Sequence, residues 1–119
     1  MYKQTVSMLG VAVVFLIALP ANGASLYFNK VSVHTQSEAT CFKFASDTAR
    51  AENLRNVHQN RLEVAGEKDN AYVSITCVGR NGEPAMAVVM SVSDDLAAAK
   101  AAADAVADRI KGIICFEGC

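Results

Sequence analysis

The sequence predicts an α+β domain in which two helices pack on one face of a mainly antiparallel sheet. Two stretches carry apolar residues at steps of three and four, as amphipathic helices do. Shorter stretches beside them are rich in β-branched and aromatic residues, as strands are. The pair Asn81-Gly82 separates two of these stretches and is typical of a type I′ hairpin turn. The predicted order is β-α-β-β-β-α, a two-layer sandwich.

The first 23 residues have the composition of a cleavable secretion signal. Lys3 is followed by an apolar run over residues 8–19, which Pro20 ends. Small residues precede Ala24, so we predict cleavage after Gly23, with Ala21 as the second choice. The run is shorter than the roughly 20 residues that cross a bilayer. We therefore expect an exported domain over residues 24–119 with no membrane span, in a bacterial periplasm or otherwise outside the cell.

The charges of the chain exclude one class of partner. The sequence has 11 basic and 12 acidic residues, and without Lys3 the exported part has 10 basic residues and a net charge of −2. These charges are scattered along the chain and form no basic stripe. Because nucleic-acid binding needs clustered Lys and Arg, we do not expect a nucleic-acid partner.

The first strand is predicted over residues 26–34, and a helix follows it. Thr35 and Glu38 form a capping box, which predicts that the helix begins at Thr35 and continues to about residue 56. One face of this helix carries Cys41, Phe44, Ala45 and Thr48. A short strand over residues 61–65 and a turn over residues 66–70 come next.

The remaining strands are predicted over residues 71–79 and 84–92. A last helix begins after Ser93-Asp94-Asp95 and ends at Gly112. Its apolar stripe consists of Leu96, Ala99, Ala103, Val106 and Ile110. With both helices on one side, the other side of the sheet is left open. We predict that this open, mildly apolar face meets a protein or envelope component, or a second copy of the chain. Its predicted residues are Tyr72, Ser74, Thr76, Ala87 and Val89.

All four cysteines lie in the exported part, and an even number in a small exported chain predicts disulfides. Their spacing matches no zinc site. Since Cys41 and Cys77 both face the predicted helix–sheet interface, we favour Cys41–Cys77 with Cys115–Cys119. Cys77–Cys115 with Cys41–Cys119 stays open, because Cys77 is predicted to lie toward the opposite end of the sheet from the helix start.

Several local patterns resemble a loose class of small exported bacterial domains of unknown function. They are Cys41 with Ala45 and Ala49 on a helix, Val-Ala-Gly at 64–66, Ile-Thr-Cys at 75–77 and the run from Val88 to Asp95. The resemblance covers residues 31–110 and implies an exported α+β fold but no activity. In that class a helix cysteine and a strand cysteine recur, matching Cys41 and Cys77. Cys115 and Cys119 depart from the class.

No sequence motif indicates catalysis, a cofactor or a metal, so we predict a non-catalytic binding module. His34 and His58 have no partner motif, and Asp94 and Asp95 are predicted to be capping residues. The alternative is a thiol-active or redox-sensing protein that uses Cys115 and Cys119, because an exposed terminal bridge is easily reduced. An inhibitor of a secreted enzyme is a third hypothesis.

Overall fold

The computed structural model describes residues 23–114, which fold in the order β-α-β-β-β-β-α. The elements are β1 (Ser25–Ser32), α1 (Glu38–Ala51), β2 (Arg55–Gln59), β3 (Val64–Lys68), β4 (Ala71–Arg80), β5 (Glu83–Ser93) and α2 (Leu96–Gly112). The predicted signal peptide lies outside the described residues except for Gly23, and Cys115 and Cys119 lie outside them as well. Neither described helix is long and apolar enough to cross a bilayer.

The five strands form one antiparallel sheet in the order β1-β5-β4-β3-β2. α2 packs on β1, β5 and β4, while α1 packs on β4 and β3, and the two helices contact each other. Both helices bury the same face of the sheet. The predicted α+β class is therefore confirmed.

The segment between α1 and β4 differs from the prediction. α1 ends at Ala51 instead of continuing to residue 56, because Asn53 adopts a left-handed backbone conformation with φ of 56°. The chain then forms β2, a strand that the sequence did not reveal. All five residues of β2 are exposed, so it lacks the apolar alternation that predicts a half-buried strand. The next strand begins at Val64, three residues later than predicted.

The start of α1 also differs in detail from the predicted capping box. Ser37 is the N-cap, and its hydroxyl accepts a hydrogen bond from the Thr40 N–H at 3.1 Å. Thr35 instead accepts from the Ser37 N–H through its hydroxyl, and its carbonyl accepts from the Ala85 N–H. Thr35 is thus held in an extended pairing with the end of the sheet, and the helix begins after it.

A bulge between Val78 and Arg80 decides which side chains of β5 face the helices. A two-residue turn with an unbroken ladder would pair Thr76 with Ala87. Only Gly82 of the turn has a positive φ, so the turn is not type I′, and the bulge shifts the register by one residue. Cys77 therefore pairs with Ala87. Because the register is shifted by one residue, each side chain of β5 lies on the side of the sheet opposite to the predicted one.

The prediction that Ala87 and Val89 lie on the open face was therefore wrong. Both are fully buried under the helices. The opposite side of β5 carries Met86, Val88, Met90 and Val92, which are half-buried or exposed. Small residues fit the buried side because α2 brings a surface of alanines, including Ala99 and Ala103, close to the sheet.

α2 follows the prediction closely. Asp95 is its N-cap and accepts from the Ala97 N–H at 3.0 Å. The helix runs to Gly112 as expected, and the predicted stripe is buried from Ala99 to Ile110. Leu96 is the exception, because it is the first residue of the helix and its side chain is exposed. After the helix, Ile114 forms a single parallel bridge with His34.

A disulfide joins Cys41 of α1 to Cys77 of β4, with 2.06 Å between the two sulfur atoms. The sequence predicted that Cys77 lies toward the end of the sheet opposite the start of α1, and the strand order shows that it does not. β4 is two antiparallel steps from β1, so it runs in the same direction as β1 and ends where α1 begins. Both cysteines are buried in the core, which places the bond between helix and sheet.

Candidate functional site: the open sheet face

The face of the sheet opposite the helices is uncovered among residues 23–114, and we call it the open face. The strand register arranges its side chains in rows. One row consists of Leu26, Val92, Tyr72 and Glu67, and the next consists of Phe28, Met90, Ser74 and Ala65. The predicted open-face residues Tyr72 and Ser74 belong to these rows, and Thr76 lies one row further along β4.

Five large apolar side chains lie side by side on this face. They form what we call the apolar patch: Leu26, Phe28, Tyr72, Met90 and Val92. Their exposed fractions are 55%, 57%, 41%, 41% and 39%. Scattered apolar residues are ordinary on a protein surface, whereas these five are neighbours across three adjacent strands. The apolar patch is therefore a continuous exposed apolar surface across β1, β5 and β4.

Three polar side chains and the hydroxyl of Tyr72 form a connected chain at the border of the apolar patch, on its β2–β3 side. The Ser74 hydroxyl donates to Oε2 of Glu63, and Oε1 of Glu63 lies 3.3 Å from Nε2 of His58. The Tyr72 hydroxyl lies 3.3 Å from the same nitrogen, and the Tyr72 and His58 rings stack with centroids 6.2 Å apart. We call these residues the polar cluster. It fixes β2 and the loop before β3 against the open face.

The electrostatics of the polar cluster follow from these contacts. The hydrogen bond from Ser74 lowers the pKa of Glu63 below its ordinary value, against the opposing effect of desolvation, and His58 adds to the lowering. Desolvation raises the pKa of Tyr72, and the Glu63 and Glu67 carboxylates raise it further. Glu67 is the ladder partner of Tyr72 on β3, and His58 links Glu63 to the Tyr72 hydroxyl, so both carboxylates lie at the border of the apolar patch.

The polar cluster does not have the geometry of a catalytic triad. A serine nucleophile needs a histidine that takes its proton, with an acid behind the histidine. In this cluster the serine donates to the carboxylate, and the pKa of that carboxylate is lowered, which makes it a weaker base. The order of contacts suits a fixed, ionised glutamate that holds neighbouring strands together.

A shallow depression of about 310 Å³ lies at the end of the open face, below the row of Leu26, Val92 and Tyr72. Tyr72 and Val92 form its apolar wall, and Glu67, Asp69 and Asp94 contribute carboxylates. Within residues 23–114, no three metal-binding side chains converge. The depression makes this end of the open face acidic.

The other sequence candidates are dispersed. His34 is exposed at the bridge to Ile114, far along the chain from the polar cluster. The polar cluster itself was not predicted, because His58 lies on the unpredicted strand β2 and Glu63 in the loop after it. The alternation of polar residues at positions 72, 74 and 76 was the signal that located this side of the sheet.

Searches against protein-family models, curated proteins and solved structures found no match to this chain.

Proposed function

We propose that this chain is an exported, non-catalytic binding module whose open face docks a protein partner. The observation that carries the proposal is the apolar patch, in which five large side chains on three adjacent strands are about half exposed. Removing apolar surface from water stabilises by about 25 cal/mol per Å². A partner with aliphatic and aromatic groups gains this energy, and the polar cluster supplies a hydrogen-bonding rim.

Two further observations support export. The Cys41–Cys77 disulfide suits an oxidising compartment, and the residue pattern over 1–23 suits a secretion signal. We place the protein in a bacterial periplasm, with the extracellular space as the alternative. The exposed apolar side chains favour a protein partner over a polar envelope polymer, because removing them from water needs apolar groups on the partner.

Photo-cross-linking in living cells of the source organism tests the proposal. A photoreactive phenylalanine analogue replaces Phe28 in one strain and Lys43, an exposed residue of α1, in a control strain. We expect a protein adduct from position 28, none from position 43, and loss of the adduct when Met90→Asp is added. Equal adducts at both positions, or adducts with lipid or polysaccharide alone, would contradict a protein-binding open face.

A further inference from the structure

The open face has the dimensions of a standard protein interface. The strands β1 to β5 contain 8, 5, 5, 10 and 11 residues, and at about 4.8 Å by 3.4 Å for each residue they cover roughly 640 Å². A stable complex of standard size buries about 800 Å² on each partner. The whole face, and not a fragment of it, is therefore needed for one ordinary interface.

Opposite charges flank the apolar patch at two diagonal corners. Lys30 lies on β1 in the row of Val88 and Thr76, and Glu67 lies on β3 in the row of Tyr72. The two residues are about 14 Å apart across the strands and about 13 Å apart along them. Lys30 is exposed and on the same side of β1 as Leu26 and Phe28.

Neither charge is neutralised by an ion pair within residues 23–114. Lys30 has no carboxylate partner there, and the Glu67 carboxylate accepts a hydrogen bond from the uncharged amide of Asn56. Arg55 pairs with Glu67 in the ladder, but its guanidinium donates to the carbonyl of Asp69 at 2.7 Å. A cation and an anion thus remain at opposite corners of one apolar surface.

From this arrangement we infer that the partner of the open face is a second copy of this chain, an inference that rests on the proposed function. A two-fold axis in the plane of the interface, running diagonally from Leu26 past Met90, exchanges the corners of Lys30 and Glu67. Each lysine then meets the glutamate of the other copy, so two identical ion pairs form. A surface whose two charges are exchanged by an axis that crosses its apolar patch is complementary to itself.

The same axis places the apolar groups against one another. On a flat lattice of strands, Phe28 of one copy lies over Val92 and Tyr72 of the other. The strands of the two sheets cross at about a right angle, which is one of the two packing classes of stacked sheets. The apolar patch provides the affinity, while the two ion pairs at the rim fix the register.

Charge-reversal variants of Lys30 and Glu67 test the inference. The monomer–dimer equilibrium of the purified, disulfide-intact protein is measured by sedimentation at micromolar concentrations. The native chain is expected to form a dimer. Lys30→Glu alone and Glu67→Lys alone each place two like-charged pairs in the interface, so each raises the dissociation constant by about a hundredfold. An equal mixture of these two variants restores dimers, as does the double variant. Lys43→Glu, on α1, is the control that leaves the dimer unchanged.

A native chain that stays monomeric overturns the inference, and so does a dimer that neither charge reversal weakens. Single reversals that weaken the dimer without rescue in the mixture also overturn it. Failure of the proposed function is distinguishable from these results. A monomeric chain whose position 28 cross-links to another protein leaves the binding module intact and removes the second copy as its partner.

Discussion

Gly79 donates its backbone N–H to Oε2 of Glu38 at 2.8 Å, which links the end of β4 to the first turn of α1. The bulge before Arg80 directs this N–H away from the ladder and toward the helix. The contact lies beside the Cys41–Cys77 disulfide, so two independent links hold the same helix end on the same strand.

Glu38→Ala is expected to lower the free energy of unfolding by about 1–2 kcal/mol, because a charged acceptor and a favourable charge at the helix N-terminus are both lost. Gly79→Ala should cost about 1 kcal/mol, since a Cβ there would lie 3.1 Å from the Glu38 carboxylate. Urea denaturation measures both. Equal stability of Glu38→Ala and the native chain would show that the link contributes nothing.

The Cys41–Cys77 bond closes a loop of 36 residues, and it stabilises chiefly by restricting the unfolded chain. We expect the double substitution Cys41→Ala and Cys77→Ala to lower the free energy of unfolding by about 3–4 kcal/mol. Chemical denaturation of the oxidised native chain and of the variant gives this difference. A loss below about 1 kcal/mol would indicate that packing, rather than the covalent link, holds α1 on β4.

Thr48 is fully buried on α1, and its hydroxyl has no hydrogen-bond partner among residues 23–114. Because burying an unpaired hydroxyl costs about 1–3 kcal/mol, Thr48→Val should raise the free energy of unfolding by about 1 kcal/mol. Thr76→Val on the open face makes the same substitution near solvent and should change stability by less than about 0.5 kcal/mol. A destabilised Thr48→Val variant would mean that the hydroxyl is satisfied in solution.

Glu52 joins α1 to two other elements. Its carboxylate pairs with Arg109 of α2 and lies 3.4 Å from Nζ of Lys68 on β3, with 11% of the side chain exposed. Desolvation raises the pKa of Glu52, but Arg109 and Lys68 together lower it below its ordinary value. A lowered pKa in the folded state stabilises the fold above the unfolded pKa of about 4.3, and this contribution is lost as the pH falls through the folded pKa.

Glu52→Gln should therefore lower stability by about 1 kcal/mol near neutral pH and have little effect below about pH 3. Thermal denaturation of both proteins across this range measures the difference. Glu83→Gln, whose ion pair with Arg80 is more exposed, is the control with a smaller effect. A difference between native and Glu52→Gln proteins that is the same at both pH values would refute the assignment.

Val89 and Met90 are neighbours in sequence on opposite sides of β5. Val89→Asp buries an unpaired charge under the helices and should cost at least about 3 kcal/mol. Met90→Asp places the charge in the apolar patch, so it should remove partner binding with little loss of stability. Denaturation and sedimentation together separate the two effects. Similar stability of the two variants would contradict the assigned faces.

The sequence predicted the elements that carry a strong local pattern. The stripes of both helices and the polar alternation at Tyr72, Ser74 and Thr76 are periodic signals, and each was found on the expected side. β2 was missed because an exposed edge strand needs no apolar residues. The faces of β5 were exchanged because one bulge shifts every later pair by one residue, and the signal that could have located it, Gly79 inside the strand pattern, was not used.

The two edges of the sheet are unequal. β1 pairs with β5 through eight consecutive residues without a bulge, whereas β2 is short, irregular and turned by the left-handed Asn56. A sheet with two regular edges can recruit strands from both sides and lengthen into a fibre. In this domain β2 is a poor template for a further strand, so we expect β1 to be the edge at which a strand of another chain is added.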